Sequence, residues 1–311
     1  MSIEKKPLVN DLYTADPSAH VFNGKIYIYP SHDEDIDVEN NDNGDQYDMK
    51  DYHVYEMPDT ETYPRDCGCV LKLEDIPWAS KQLWAPDCVE KDGKYYFVFP
   101  ARDKEGFFRI GIATSDKPEG PFKAEPNYIP GSYSIDPCMF PDTDGKYYLT
   151  FGGIWGGQLD QYRNNKWSAD NKEPQGDEEA CTAKIALMKD NLLEMAEEPK
   201  DIMILDENGK PLTGGDEARR YFEDPWLFKK GDTYYFTYST GTTHLLCYAT
   251  SKNVYGPYTY GGVILTPVLG WTTHHSILEF NGKWYLFYHD CERSGGVNQK
   301  RNIKFREMKF K

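Results

Sequence analysis

Three acidic residues stand at corresponding places in similar stretches of this chain: Asp16 in Ala15-Asp16-Pro17, Asp136 in Ile135-Asp136-Pro137, and Glu223 in Phe222-Glu223-Asp224-Pro225. Each opens a run of apolar residues that reads as a β-strand. Strands seldom open on a buried acid, because burying an unpaired charge is expensive. One Asp-Pro dipeptide taken alone most often caps a strand or binds backbone amides, and Asp87 and Asp224 are neighbours open to that reading. Three acids brought to one place would do acid/base work. A protonated carboxyl can donate to a leaving oxygen while an ionised one activates water or attacks carbon, the pairing that hydrolysis of a glycosidic bond requires. A third acid nearby raises the donor's pKa by like-charge repulsion.

What must position these acids is a repeat. Five segments share a polar head, a short apolar run, a Gly-containing turn and a second, Tyr-rich apolar run. They begin near Ala15, Ala85, Ile135, Glu223 and His274. Asn23-Gly24, Asp92-Gly93, Asp144-Gly145 and Asn281-Gly282 supply the positive φ of tight hairpin turns. A second motif follows two of the units, Ile112-Ala113-Thr114-Ser115 with Gly120-Pro121-Phe122 and Tyr248-Ala249-Thr250-Ser251 with Gly256-Pro257-Tyr258, and reads as the outer strands of those units. Four strands per unit and five units predict an all-β, five-bladed β-propeller. In such a ring the inner strands start at the central channel, so the polar heads converge. Helical periodicity is confined to the stretch from Met188 to Glu198. Residues 31–70, rich in Asp and Asn, and residues 155–217 read as long insertions that shape the mouth of a pocket. No linker interrupts the chain, so residues 1–311 are expected to form a single domain.

Bulk properties narrow the function. Of 311 residues, 15% are aromatic, enough to fill sheet interfaces and to leave some rings for sugar faces. The net charge of −16, without a basic stripe, argues against nucleic acid and points to a neutral or cationic substrate. No stretch reaches the roughly 20 apolar residues of a membrane span. The start, Met1-Ser2-Ile3-Glu4-Lys5-Lys6-Pro7, lacks the apolar run of a signal peptide, and seven scattered Cys suggest reduced thiols, so a cytoplasmic location is expected.

The heads of Asp16, Asp136 and Glu223, the stretch Trp84-Ala85-Pro86-Asp87 and the triplet His274-His275-Ser276 together resemble glycoside hydrolase family 43, in order and over essentially the whole chain. The resemblance implies an inverting glycosidase with Asp16 as general base, Asp136 as the residue that orients the acid and tunes its pKa, and Glu223 as general acid. It implies that His274 reaches a divalent metal, Ca2+, in the central channel. The family often has Glu-Gly-Pro where this chain has Glu223-Asp224-Pro225, which adds a carboxylate beside the acid. Trp84, Arg301, His32 and Phe22 are candidate substrate-binding residues, Trp84 for stacking and Arg301 for donating to a sugar hydroxyl. The implied activity is an exo-acting β-xylosidase on xylobiose and short xylo-oligosaccharides. The alternative is an α-L-arabinofuranosidase or a dual enzyme acting on arabinose-substituted oligosaccharides. A non-catalytic carbohydrate-binding propeller is the rival from another class. The pocket would be closed by the chain's own loops or by a second subunit of a homo-oligomer.

Overall fold

The structure, a computed structural model, describes residues 2–271 and 273–310. Among the described residues five blade sheets, antiparallel except for one edge pair, follow one another around a ring, with a separate two-stranded hairpin of Tyr162–Arg163 and Lys166–Trp167. The inner strands are Tyr13–Phe22, Asp87–Lys91, Cys138–Pro141, Glu223–Lys230 and His275–Phe280. Each is joined to the next strand by a short turn, at Asn23-Gly24, Asp92-Gly93, Gly231-Asp232 and Asn281-Gly282 among others. The inner and second strands are buried almost throughout. They lie between neighbouring blades, which explains their unbroken apolar and Tyr-rich character. The rings predicted to fill these interfaces do so: Tyr29, Tyr52, Phe97, Phe99, Phe151, Phe236 and Tyr238 are fully buried.

The ring is closed by the two ends of the chain. The last blade has three strands of its own, His275–Phe280, Lys283–Asp290 and Asn302–Met308. The N-terminal segment lies along the outermost of them: Lys5 N–H donates to Phe305 O at 2.8 Å and Leu8 N–H to Ile303 O at 2.9 Å. Ile3, Leu8 and Val9 are buried in a cluster with Ile303, Phe305 and Phe287.

Two expectations are corrected. Residues 31–70 are not one insertion, because Asp51–Met57 and Arg65–Lys72 are the third and fourth strands of blade 1. The acidic stretch between Asp33 and Asp51 is loop, and residues 58–64 connect the two outer strands. Residues 155–217 likewise contain Lys184–Leu187 and Lys200–Asp201 of blade 3, and Ile204–Leu205, which pairs parallel to the edge of blade 4. Polar composition hid these strands because outer strands face solvent on one side. The helix expected at Met188–Glu198 does not form. Leu192 has φ +58°, Met188 and Met195 form an isolated bridge, and the segment is a hairpin-like turn. Among the described residues helical structure is limited to short 3-10 turns, and no helix is long and apolar enough to cross a membrane.

Candidate active site

A local backbone device aims the acids. In blade 1 the pairing of Ala15 with Ser31 is followed by Ser18 with Tyr29, so one extra residue bulges out. In blade 4 Glu223 pairs with Ser239 and Trp226 with Thr237, the same slip. Asp16, Asp136 and Asp224 each precede a proline with φ of +51°, +55° and +65°. Non-glycine residues seldom hold this left-handed conformation, and such strain gathers at functional sites. The true counterparts in the repeat are therefore Asp16, Asp136 and Asp224. Glu223 sits one residue earlier, where the other two blades carry Ala15 and Ile135.

These heads stitch the blades together. Ser18 Oγ donates to Asp87 Oδ1 at 2.5 Å, and Asp87 Oδ2 accepts Met139 N–H at 2.6 Å. Asp136 Oδ2 accepts Asp224 N–H at 3.0 Å, and Asp224 Oδ2 accepts His275 N–H at 2.9 Å. Ser276 Oγ accepts Ala19 N–H at 3.0 Å and donates to Pro17 O. Every blade is thereby tied to the next around the channel.

Above this ring opens a pocket of about 310 Å³. Asp16, Asp136, Glu223, His274, Arg301 and Trp84 all line it, so the sequence-derived candidates are brought together with two exceptions. Phe22 lies at the far end of its strand, stacked on His20 and packed edge-on to Tyr95 between blades 1 and 2. His32 faces the opposite side of blade 1 and pairs with Asp51, Nδ1 to Oδ1 at 2.6 Å. Neither lines the pocket. On a strand, neighbouring residues point to opposite faces: Ser31 and Asp33 take the channel side and His32 cannot.

The surroundings of Asp16 and Glu223 drive their protonation apart. Burial pushes the Asp16 carboxyl up, but Arg301, His289, His274 and the Ser31 hydroxyl together hold it at about 2. Arg301 Nη1 donates to Asp16 Oδ1 at 3.0 Å. The rest of its fork is fixed by Asp33, Nε to Oδ2 at 2.9 Å and Nη2 to Oδ1 at 2.7 Å. Asp16 N–H donates to His289 Nδ1 at 3.0 Å. Among the described residues no cation pairs with the Glu223 carboxylate. Burial, then the charge of Asp16, push it up to about 8, against a smaller opposing pull from Arg301. Asp136 is raised well above the ordinary carboxylate range by burial and by Glu223 and Asp16. Asp136 and Glu223 repel when both are ionised, so the pair keeps a proton near neutral pH. Burial also lowers His274 to about 4, leaving the imidazole neutral. Its Nδ1 stands 3.8 Å from Asp16 Oδ1 and 3.9 Å from Asp136 Oδ2.

The loops complete the walls. Between Asp33 and Asp51, Gly44 and Tyr47 close on Trp84, whose Nε1–H donates to Tyr47 O at 2.8 Å. A Cβ on Gly44 would sit 2.5 Å from the Trp84 ring, so only glycine allows this approach. After the second strand of blade 3, a Cβ on Gly153 would meet Ile135 at 2.7 Å and the Glu223 Cβ at 3.1 Å. Trp155 and Trp271 add an aromatic corner, their ring centroids 5.8 Å apart, with Phe222 5.0 Å from Trp155. Sequence reasoning passed over Ser31, Asp33, His289, Trp155 and Trp271. Ser31, Asp33 and His289 carry a readable signal: polar residues at the end of a second strand sit opposite the head of the first, as Ala15 pairs with Ser31. The two tryptophans lie in loops whose path no periodicity reveals.

Comparison with known proteins agrees with this geometry. The chain is 57% identical over 311 residues to a xylosidase/arabinosidase of Bacteroides ovatus, covering 100% of this chain and 96% of the relative. It is 58% identical to xylosidase/arabinosidase 43A of Humicola insolens, covering 97% and 95% of the two chains. A β-xylosidase/α-arabinofuranosidase from a compost microbial metagenome, solved with xylotriose in a calcium-free form, superimposes with a TM-score of 0.98 at 56% identity, over 100% of this chain and 96% of the other. The model of glycosyl hydrolases family 43 matches residues 5–311, and the chain belongs to that family.

Proposed function

We propose that this protein is an inverting, exo-acting β-xylosidase that releases xylose from xylobiose and short xylo-oligosaccharides, with α-L-arabinofuranosidase activity at the same site. One observation carries the mechanism. A single pocket holds an acid kept ionised, Asp16, and an acid kept protonated, Glu223. Glu223 donates its proton to the glycosidic oxygen as the bond to the anomeric carbon breaks. Asp16 takes a proton from a water molecule that adds to that carbon from the opposite face, which inverts its configuration. Asp136, tied to the Asp224 amide, fixes the fourth-blade head and shares the proton balance of Glu223. After release the proton on Asp16 passes to solvent and Glu223 regains one. A binding module has no use for this division of protonation. The enclosing loops suit the end of a chain rather than its middle. The dual activity rests on the relatives, which carry both names at 57% and 58% identity.

The channel beneath the pocket fits a divalent cation. Among the described residues, the buried Oδ1 of Asp224 accepts no hydrogen bond, although the neutral His274 ring places Nε2 2.9 Å away. An uncapped carboxylate oxygen beside a neutral imidazole is a donor set for a metal, with water completing the oxygen shell that Ca2+ prefers. His274 and Asp224 would hold it. When bound, such an ion supplies positive charge that favours the ionised forms of Asp136 and Asp224.

The test is hydrolysis of 4-nitrophenyl β-D-xylopyranoside and 4-nitrophenyl α-L-arabinofuranoside, with proton NMR of the first sugar released from xylobiose. Both glycosides should turn over, the xyloside faster, and the first xylose should appear as the α-anomer. Release of the β-anomer would refute inversion. Turnover of the arabinoside alone would exclude the xylosidase.

A further inference from the structure

On the outer side of blade 1, away from the pocket, His32, Asp51 and His53 each offer one ligand atom within 4.8 Å of the others. We propose that these three side chains form a second divalent metal site, selective for Zn2+-class ions over Ca2+. Their placement follows from the strands. His32 is the penultimate residue of the second strand, while Asp51 and His53 are two residues apart on the third and so share a face. Two imidazoles and one carboxylate suit Zn2+ or Co2+, whereas Ca2+ takes oxygen ligands. The His53 ring is already held by a carboxylate. Its Nδ1 lies 3.2 and 3.1 Å from the two carboxylate oxygens of Asp66. A carboxylate behind a metal-binding histidine fixes its tautomer and strengthens its other nitrogen. The group is reachable, with side-chain exposures of 15% for His32, 25% for Asp51 and 16% for His53.

The site backs directly onto the pocket. Ser31 and Asp33, the neighbours of His32 on the same strand, hold Asp16 and Arg301 from the other face. An ion here would pin the strand end that supports Asp16 without touching the substrate.

The experiment is calorimetric titration of Zn2+ into the full chain kept saturated with Ca2+, which occupies the channel. One Zn2+ per chain is expected. His53→Gln should abolish this binding, Asp66→Asn should weaken it about 10–100-fold, and His274→Ala should leave it in place. Co2+ should give the visible bands of a four-coordinate site in the wild type and not in His53→Gln. Should His53→Gln fail to fold by circular dichroism, Asp66→Asn decides. No saturable Zn2+ binding in the Ca2+-loaded protein, or binding unchanged in both the His53 and Asp66 variants, would overturn the site. So would loss of binding in His274→Ala alone, which would place the ion in the channel.

Discussion

At the scale of single residues, the site is a contest over protons, and Arg301 decides it. Its fork joins Asp16 to Asp33, so the positive charge is both near and immobile. Replacing it with Gln leaves two buried carboxylates without their cation. The acid limb of the kcat/KM profile should then move up from near pH 2 toward the ordinary carboxylate range. Breaking a buried pair in this way also costs about 3–5 kcal/mol of stability, readable by urea denaturation. Glu223 makes the opposite prediction. Its folded pKa, about 8, lies above the ordinary 4.5, so the folded state holds a proton that the unfolded chain releases. Its contribution to stability is greatest below pH 4.5 and is lost as the pH rises through 8. Glu223→Gln should lower kcat by about 10²–10⁴-fold, yet melt higher than the wild type at pH 9 and not at pH 4. In the wild type, the alkaline limb of the rate profile should fall with an apparent pKa near 8. An alkaline limb unchanged in Glu223→Gln would assign that titration to another group.

At the scale of elements, the inner strands and the segments that tie them decide stability. Leu8 is 3% exposed and its backbone pairs with Ile303 across the closure of the ring. Leu8→Ala should lower stability by about 2–5 kcal/mol, seen as a lower urea midpoint. KM below the melting range should stay unchanged, because Leu8 does not line the pocket. A changed KM at full folding would show that the closure sets pocket geometry. The inner strands were legible in the sequence because they are apolar on both faces and end in Gly turns. Asp16, Asp136 and Glu223 were legible because each breaks that apolar pattern at its start. The outer strands of blade 1 were not, since Asp51, His53 and Asp66 alternate with apolar partners in a stretch whose composition resembles a loop. Nor could the sequence reveal that His32 turns away from the pocket, because one position along a strand reverses the face and the bulge at Asp16 resets the count.

At the scale of the whole molecule, the channel ties the five blades to one another and to the site above them. Chelation of a channel ion should reduce kcat several-fold, with recovery on adding Ca2+. A melting curve in the same chelator separates that effect from loss of the fold. Undiminished turnover after exhaustive chelation would leave His274 with a purely packing role. The closure of the ring has a consequence for how the enzyme is made. Asp16 is synthesised well before Arg301 and His289, which hold it, and Leu8 waits for Ile303. A chain that lacks its fifth blade can build its middle blades but cannot complete the surroundings of Asp16. Contacts of such sequence separation fold slowly, and the unpaired edges exposed in the meantime are open to aggregation. Completion of the site in this molecule therefore waits for the last blade, in the same event that closes the ring.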